Sequence, residues 1–164
     1  MNSHAQKAFS PPENPLEVFT QKIESKTIKL DGKLEEGAWY TVPMISGFTQ
    51  RDPRQGEAAS VDTEVRILHD DEFLYVGAIC YDDLTDLNQI RVLNMQRDFG
   101  GFSNDRFSIA IDGLKDLRNA VGFEVTPYGA QREIQVIDGN EWDGNVNWDA
   151  LLYVRTTISD TAWV

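Results

Sequence analysis

The richest stretch of chemistry in this chain is Asp138-Gly-Asn-Glu-Trp-Asp-Gly-Asn-Val-Asn-Trp-Asp149, which crowds side-chain oxygens around two tryptophans. A hard cation such as calcium takes roughly six to eight oxygen ligands, so Asp138, Asn140 and Asp143 are candidate calcium ligands. The spacing is not that of an EF-hand. Trp142 stands where the third ligand belongs, and no glycine follows it. The same composition also reads as a solvated Asn/Gly turn. Trp142 has no alternating apolar neighbour to bury it, and an exposed indole offers a flat apolar face to the C–H side of a sugar ring. Trp148 opens the following run and reads as core or rim, and Trp39 and Trp163 read as core.

A second cluster joins Gln96-Arg97-Asp98 to Ser103-Asn-Asp-Arg106 across Gly100-Gly101, with Arg132-Glu133 further on. A guanidinium grips hydroxyls or carboxylates in a planar fork, and a carboxylate accepts from sugar hydroxyls. Arg97, Asp98, Asp105 and Arg132 are therefore candidate saccharide contacts; the alternative is a surface ion-pair set. Asp82 and Asp83, with Asp86 nearby, repel one another unless solvated or bridged, which makes them a second calcium candidate.

Catalytic signatures are thin. No Gly-x-Ser-x-Gly, phosphate loop or His-Glu-x-x-His occurs. Carboxylate pairs for glycoside hydrolysis can be drawn at will from 27 acids, so they carry no weight. His69 beside Asp70 reads as a turn histidine. Met44, Met95 and His69 could in principle ligate haem, but nothing places two of them face to face.

The elements that must position these groups are strands. Val61, Thr63, Val65 and Ile67 alternate with Asp62, Glu64 and Arg66, as in a strand with one face buried. Phe73–Tyr81 is apolar on both faces and reads as a central strand. Phe107, Ile109 and Ile111 alternate with small residues up to the Asp112-Gly113 turn, and Val121, Phe123 and Val125 follow before Pro127-Tyr-Gly129. Ile134–Ile137 and Ala150–Thr157 are further strands, separated by a polar loop from Asp138 to Asn147. Helix is limited to one or two turns, at Leu34–Trp39 and Leu114–Arg118. Many short strands without βαβ alternation indicate an all-β antiparallel sandwich. Residues 1–26, with Ser10-Pro-Pro-Glu-Asn-Pro15, read as a tail or linker, and 27–164 as one domain. The chain ends inside what reads as a strand, so a longer protein is expected.

The 164 residues carry 15 basic and 27 acidic side chains, a net charge of −12. Nucleic acid is a poor partner for so acidic a surface. One cysteine, Cys80, rules out an internal disulfide and a thiolate zinc site. The longest apolar run, Phe73–Cys80, is far short of the roughly 20 residues of a membrane-spanning helix, and Met1–Gln6 has no apolar signal core.

Five segments together resemble a known family. They are Ile28–Trp39, Asp71–Gly77 with Tyr81-Asp82, Asp105–Asp112, Phe123–Arg132 and Asn147-Trp-Asp149. In order and spacing they look like the family 9 carbohydrate-binding module and its relatives. More narrowly, they are similar to the N-terminal domain of large bacterial outer-membrane proteins with a C-terminal β-barrel. The likeness covers about residues 27–164 and implies a β-sandwich. It also implies structural calcium and an oligosaccharide or polysaccharide ligand, on the periplasmic or surface side of an outer membrane. In the barrel-linked subgroup the Arg97-Asp98 pair, Asp105 and the Gly129-Ala-Gln-Arg132 turn recur. This chain departs from that pattern with Thr126 in place of Asn and Glu133 in place of Asp. The expectation is a non-catalytic carbohydrate-binding module. Its rival is an interaction or gating domain of an outer-membrane barrel protein without sugar affinity.

Overall fold

The computed structural model describes residues 17–86, 90–100 and 104–164, with the backbone alone for 140–143. The chain forms two compact units. One is made of residues up to Lys29 together with Leu34–Asp82; the other combines Leu30–Lys33 with Asp83–Val164.

In the first unit, β1 (Gln21–Lys22), β2 (Thr63–His69) and β3 (Leu74–Tyr81) lie side by side. The β2–β3 hairpin is antiparallel from Thr63↔Cys80 to His69↔Leu74, and β1 joins β2 in parallel at Gln21↔Leu68. Strand pairing thus begins within the stretch read as a tail. The hairpin turn is organised by Asp70, whose carboxylate accepts from the Glu72 and Phe73 amides, both at 2.8 Å, and from the Tyr75 hydroxyl at 2.9 Å. Those donors hold the buried Asp70 below the usual carboxylate range, the Glu72 amide contributing most. Trp39, Val42 and Leu68 form the core, with Ile23, Ile28, Leu34, Ala38 and Tyr75 packed against it. A 3-10 turn over Gly37–Thr41 drives Trp39 inward, and its indole N–H donates to Glu36 at 3.1 Å. Gly77 makes the room: a Cβ there would lie 2.7 Å from the Leu34 side chain and 3.1 Å from the Trp39 ring.

The second unit is a four-stranded antiparallel sheet in sequence order, β4 (Phe107–Ile111), β5 (Ala120–Val125), β6 (Gln131–Ile137) and β7 (Asn140–Asn145). The registers set Phe107, Ile109 and Ile111 against Val125, Phe123 and Val121, and these against Gln131, Glu133 and Gln135. One face is therefore apolar across two strands and polar on the third. The opposite face carries Ser108, Glu124 and Arg132 in one row and Ala110, Gly122 and Ile134 in the next. After β7 the chain runs on to β8 (Ala162–Trp163), where Trp163 bridges Ile158. Among the described residues, two antiparallel-rich sheets and a single 3-10 turn make the protein all-β, the class of the antiparallel sandwich expected from the alternation.

The polar loop expected from Asp138 to Asn147 is instead a tight turn and a strand. Asp138 and Gly139 both have positive φ, 56° and 73°, as the two-residue I′-type hairpin turn requires, and β7 follows at once. Leu114–Arg118, expected as a helical turn, is a loop wound around the Asp112 carboxylate, which accepts from the amides of Leu114 and Leu117 at 3.1 and 2.8 Å. Ala150–Thr157, expected as a strand, forms none.

Candidate functional site

Glu133 is the least expected side chain in the second unit. It lies on the apolar face, in register with Phe123, and its side chain is 1% exposed. Burial raises its pKa above the ordinary carboxylate value, and the nearby Arg97 charge pulls it back only in part. Arg97 reaches in from outside the sheet. One terminal nitrogen, Nη2, donates to Glu133 Oε1 at 2.9 Å and to Asp149 Oδ1 at 2.7 Å, and Nε lies 4.0 Å from Asp98. Glu133 Oε2 is buried and has no hydrogen-bond partner among the described residues.

The segment that delivers Arg97 is stitched in place by backbone bonds and one anchor. The Asp98 amide donates to Gln131 O at 2.9 Å, with Asp98 in the left-handed region at φ 58°, where Asp is tolerated better than most residues. Phe99 is buried beside it at 1% exposure. Upstream, the Leu93 amide donates to Asn104 Oδ1 at 2.8 Å. Asp105 and Arg91 exchange two bonds, backbone to backbone and Arg91 amide to Asp105 carboxylate, both at 2.7 Å. Asp105 is thus occupied in holding this segment.

Trp148 meets Phe123 edge-on with ring centroids 6.0 Å apart, so Trp148 shares the face that carries Glu133. Asp149 follows Trp148 and stays exposed. The outcome is a half-exposed guanidinium flanked by the exposed carboxylates of Asp98 and Asp149, over a buried third carboxylate. Chemically this is a polar edge with donors in the centre and acceptors on both sides, on the sheet face that carries Phe123 and Trp148. Such an edge suits neutral hydroxyl-bearing ligands.

Of the expected saccharide contacts, Arg97 and Asp98 come together here. Arg132 does not join them: it lies on the opposite face of β6 and donates to Glu124 at 3.0 Å. Arg106 approaches the other Glu124 oxygen at 3.5 Å, and all three side chains are mostly covered. Trp142 lies on β7, and its side chain is outside the described residues, as are those of Asn140 and Asp143.

Of the five calcium candidates, Asp138, Asp82 and Asp83 have described side chains. Asp138 is engaged by Arg118 at 2.9 Å, and Asp83 accepts from the Thr85 hydroxyl at 2.7 Å. Among the described residues no group of three or more acidic, histidine or cysteine side chains is placed to hold a metal ion, Asp82 and Asp83 included. Asn140 and Asp143, the candidates nearest Asp138, have side chains outside the described residues.

Asp149, Trp148 and Phe123 escaped the sequence reading as site residues, and Glu133 entered it only alongside Arg132. The available signal was in β6, where Ile134 and Val136 share one face and Glu133 therefore points to the other. Only the strand register shows that this other face is apolar. Comparison with protein-family models, curated proteins and solved structures returns no match.

Proposed function

We propose that this chain is a non-catalytic carbohydrate-binding module whose ligand sits at Arg97. The observation that carries this reading is the Arg97 guanidinium itself, half exposed yet fixed by Glu133 and Asp149 beside the Trp148–Phe123 pair. A preset arginine loses little freedom when a hydroxyl binds, Asp98 and Asp149 accept from neighbouring hydroxyls, and Trp148 supplies apolar contact. Affinity should be weak, roughly micromolar to millimolar, because a shallow site buries little surface against the entropy of association.

Calorimetric titration against xylo- and cello-oligosaccharides tests it. Binding by the native chain, abolished by Arg97→Ala and retained in Asp138→Asn, supports the assignment; silence across a broad glycan panel ends it. A second reading, an interaction domain attached to an outer-membrane barrel, is favoured by the exposed Leu151 and Tyr153 on the segment after Trp148. Capture of a detergent-solubilised barrel, undiminished by Arg97→Ala, would select that reading.

A further inference from the structure

Around Arg97 the acceptors outnumber the donors. Nη2 commits both of its hydrogens, one to Glu133 Oε1 at 2.9 Å and one to Asp149 Oδ1 at 2.7 Å. Asp98 lies on the Nε side at 4.0 Å, within reach of the charge but too far for a hydrogen bond. Glu133 Oε2, on the same carboxyl that meets Arg97, is buried with no partner among the described residues. A buried carboxylate oxygen without a donor is uncommon and destabilising.

The charges are as uneven as the donors. The groups whose charge acts on Glu133 are Arg97, Asp98 and Asp149. One guanidinium thus faces three carboxylates, and the cluster stays negative even when Glu133 holds a proton. Water screens the rim, where the Asp98 and Asp149 side chains are 41% and 76% exposed, but not the Glu133 carboxyl beneath it. A neutral hydroxyl can take up the remaining Arg97 hydrogens, yet it brings no charge against this excess. A sugar carboxylate or sulfate brings acceptors only and adds a like charge. An ammonium group brings three donors, no acceptor and a positive charge.

We propose that the ligand of this rim is a basic sugar, an oligosaccharide of the glucosamine type, with Asp98 and Asp149 receiving its ammonium groups and Arg97 its hydroxyls. The inference rests on the saccharide reading and narrows it from sugars in general to those that carry positive charge. Glu133 does not touch the ligand. Its buried carboxyl adds to the negative potential under the two exposed acids, in surroundings too dry to screen it. The same potential turns uronic acids and sulfated sugars away, so the selection works by repulsion as well as by attraction.

The test is calorimetric titration of the full chain at about pH 6, where a sugar amine carries its proton. Oligosaccharides of glucosamine, N-acetylglucosamine, glucose and glucuronate are compared at equal length. The glucosamine series should bind about tenfold more tightly than the N-acetyl series, and the glucuronate series least of all. Asp98→Asn and Asp149→Asn should each lower the glucosamine-to-N-acetyl ratio about threefold or more. Asparagine is tolerated at the positive φ of Asp98, so the first variant keeps its fold. Asp138→Asn makes the same change in net charge at the end of β6, about 17 Å along the strand from Glu133, and should leave the ratio unmoved. Equal binding of the glucosamine and N-acetyl series overturns the inference and leaves the saccharide reading standing. Silence of all four series ends both. An oligolysine of matched charge that binds as tightly as the glucosamine oligomer also overturns it, since attraction to an acidic chain would then suffice. So does a ratio that falls as far in Asp138→Asn as in the rim variants.

Discussion

Glu133 carries a cost that its surroundings only partly offset, and pH exposes it. The folded protein binds the Glu133 proton more tightly than the unfolded chain, where the group titrates near its ordinary value of 4.5. Folding is thus favoured on the acid side of the raised value, and that contribution fades as pH rises through it. The lowered carboxylates work in the opposite sense and in a separate window. Asp70, Asp83 and Asp116 lend stability that is present above their ordinary value of 3.8 and is lost as pH falls below it. Urea midpoints measured through this range should rise as pH is lowered from neutrality toward 4.5, and then fall below 3.8. Glu133→Gln should remove the first slope and leave the second. An unchanged slope in that variant would show that Glu133 is not the group responsible.

At the scale of elements, the β6–β7 hairpin depends on the absence of side chains at two glycines that flank Ile134. A Cβ at Gly144 would lie 2.6 Å from Ile134 Cδ1 and 2.9 Å from the Gln135 carbonyl, and one at Gly122 would lie 2.8 Å from Ile134 Cγ2. At Gly144 the obstacle is partly backbone and cannot swing aside. Gly144→Ala should therefore lower stability by about 1–3 kcal/mol, an overpacking cost readable by thermal or urea melting. Much of the strand inventory was legible in the sequence, because alternation in Val61–Ile67, Phe107–Ile111 and Val121–Val125 reports a one-sided burial directly. Strand β7 was not legible: Asn, Asp and Gly are poor strand formers, and the Asp138-Gly139 pair that announces its hairpin is short and easily absorbed into a longer polar run. The site was half legible. Arg97 and Asp98 advertise themselves as a charged pair. Whether Glu133 or Arg132 faces Arg97 is set by pleat parity and register, which a single sequence does not display.

For the whole molecule, the dominant quantity is the charge of −12. Acidic side chains outnumber their partners, so the compact state repels itself at low ionic strength. Raising salt from about 10 mM to about 150 mM at pH 7 should raise the melting temperature, since the screening length shrinks from roughly 30 to roughly 8 Å. A fall would mean that local ion pairs such as Arg97–Asp149 and Arg106–Glu124 outweigh the global repulsion.

The placement of the indoles has an optical consequence. Trp39 and Trp163 are sealed inside, at 3% and 9% exposure, so their emission should ignore small solutes. Trp148 packs on Phe123, precedes the Asp149 that holds Arg97, and is only half covered. Any quencher, proton or glycan arriving there alters the colour and lifetime of a fluorophore already built into the chain, and the rim can be interrogated without attaching a label.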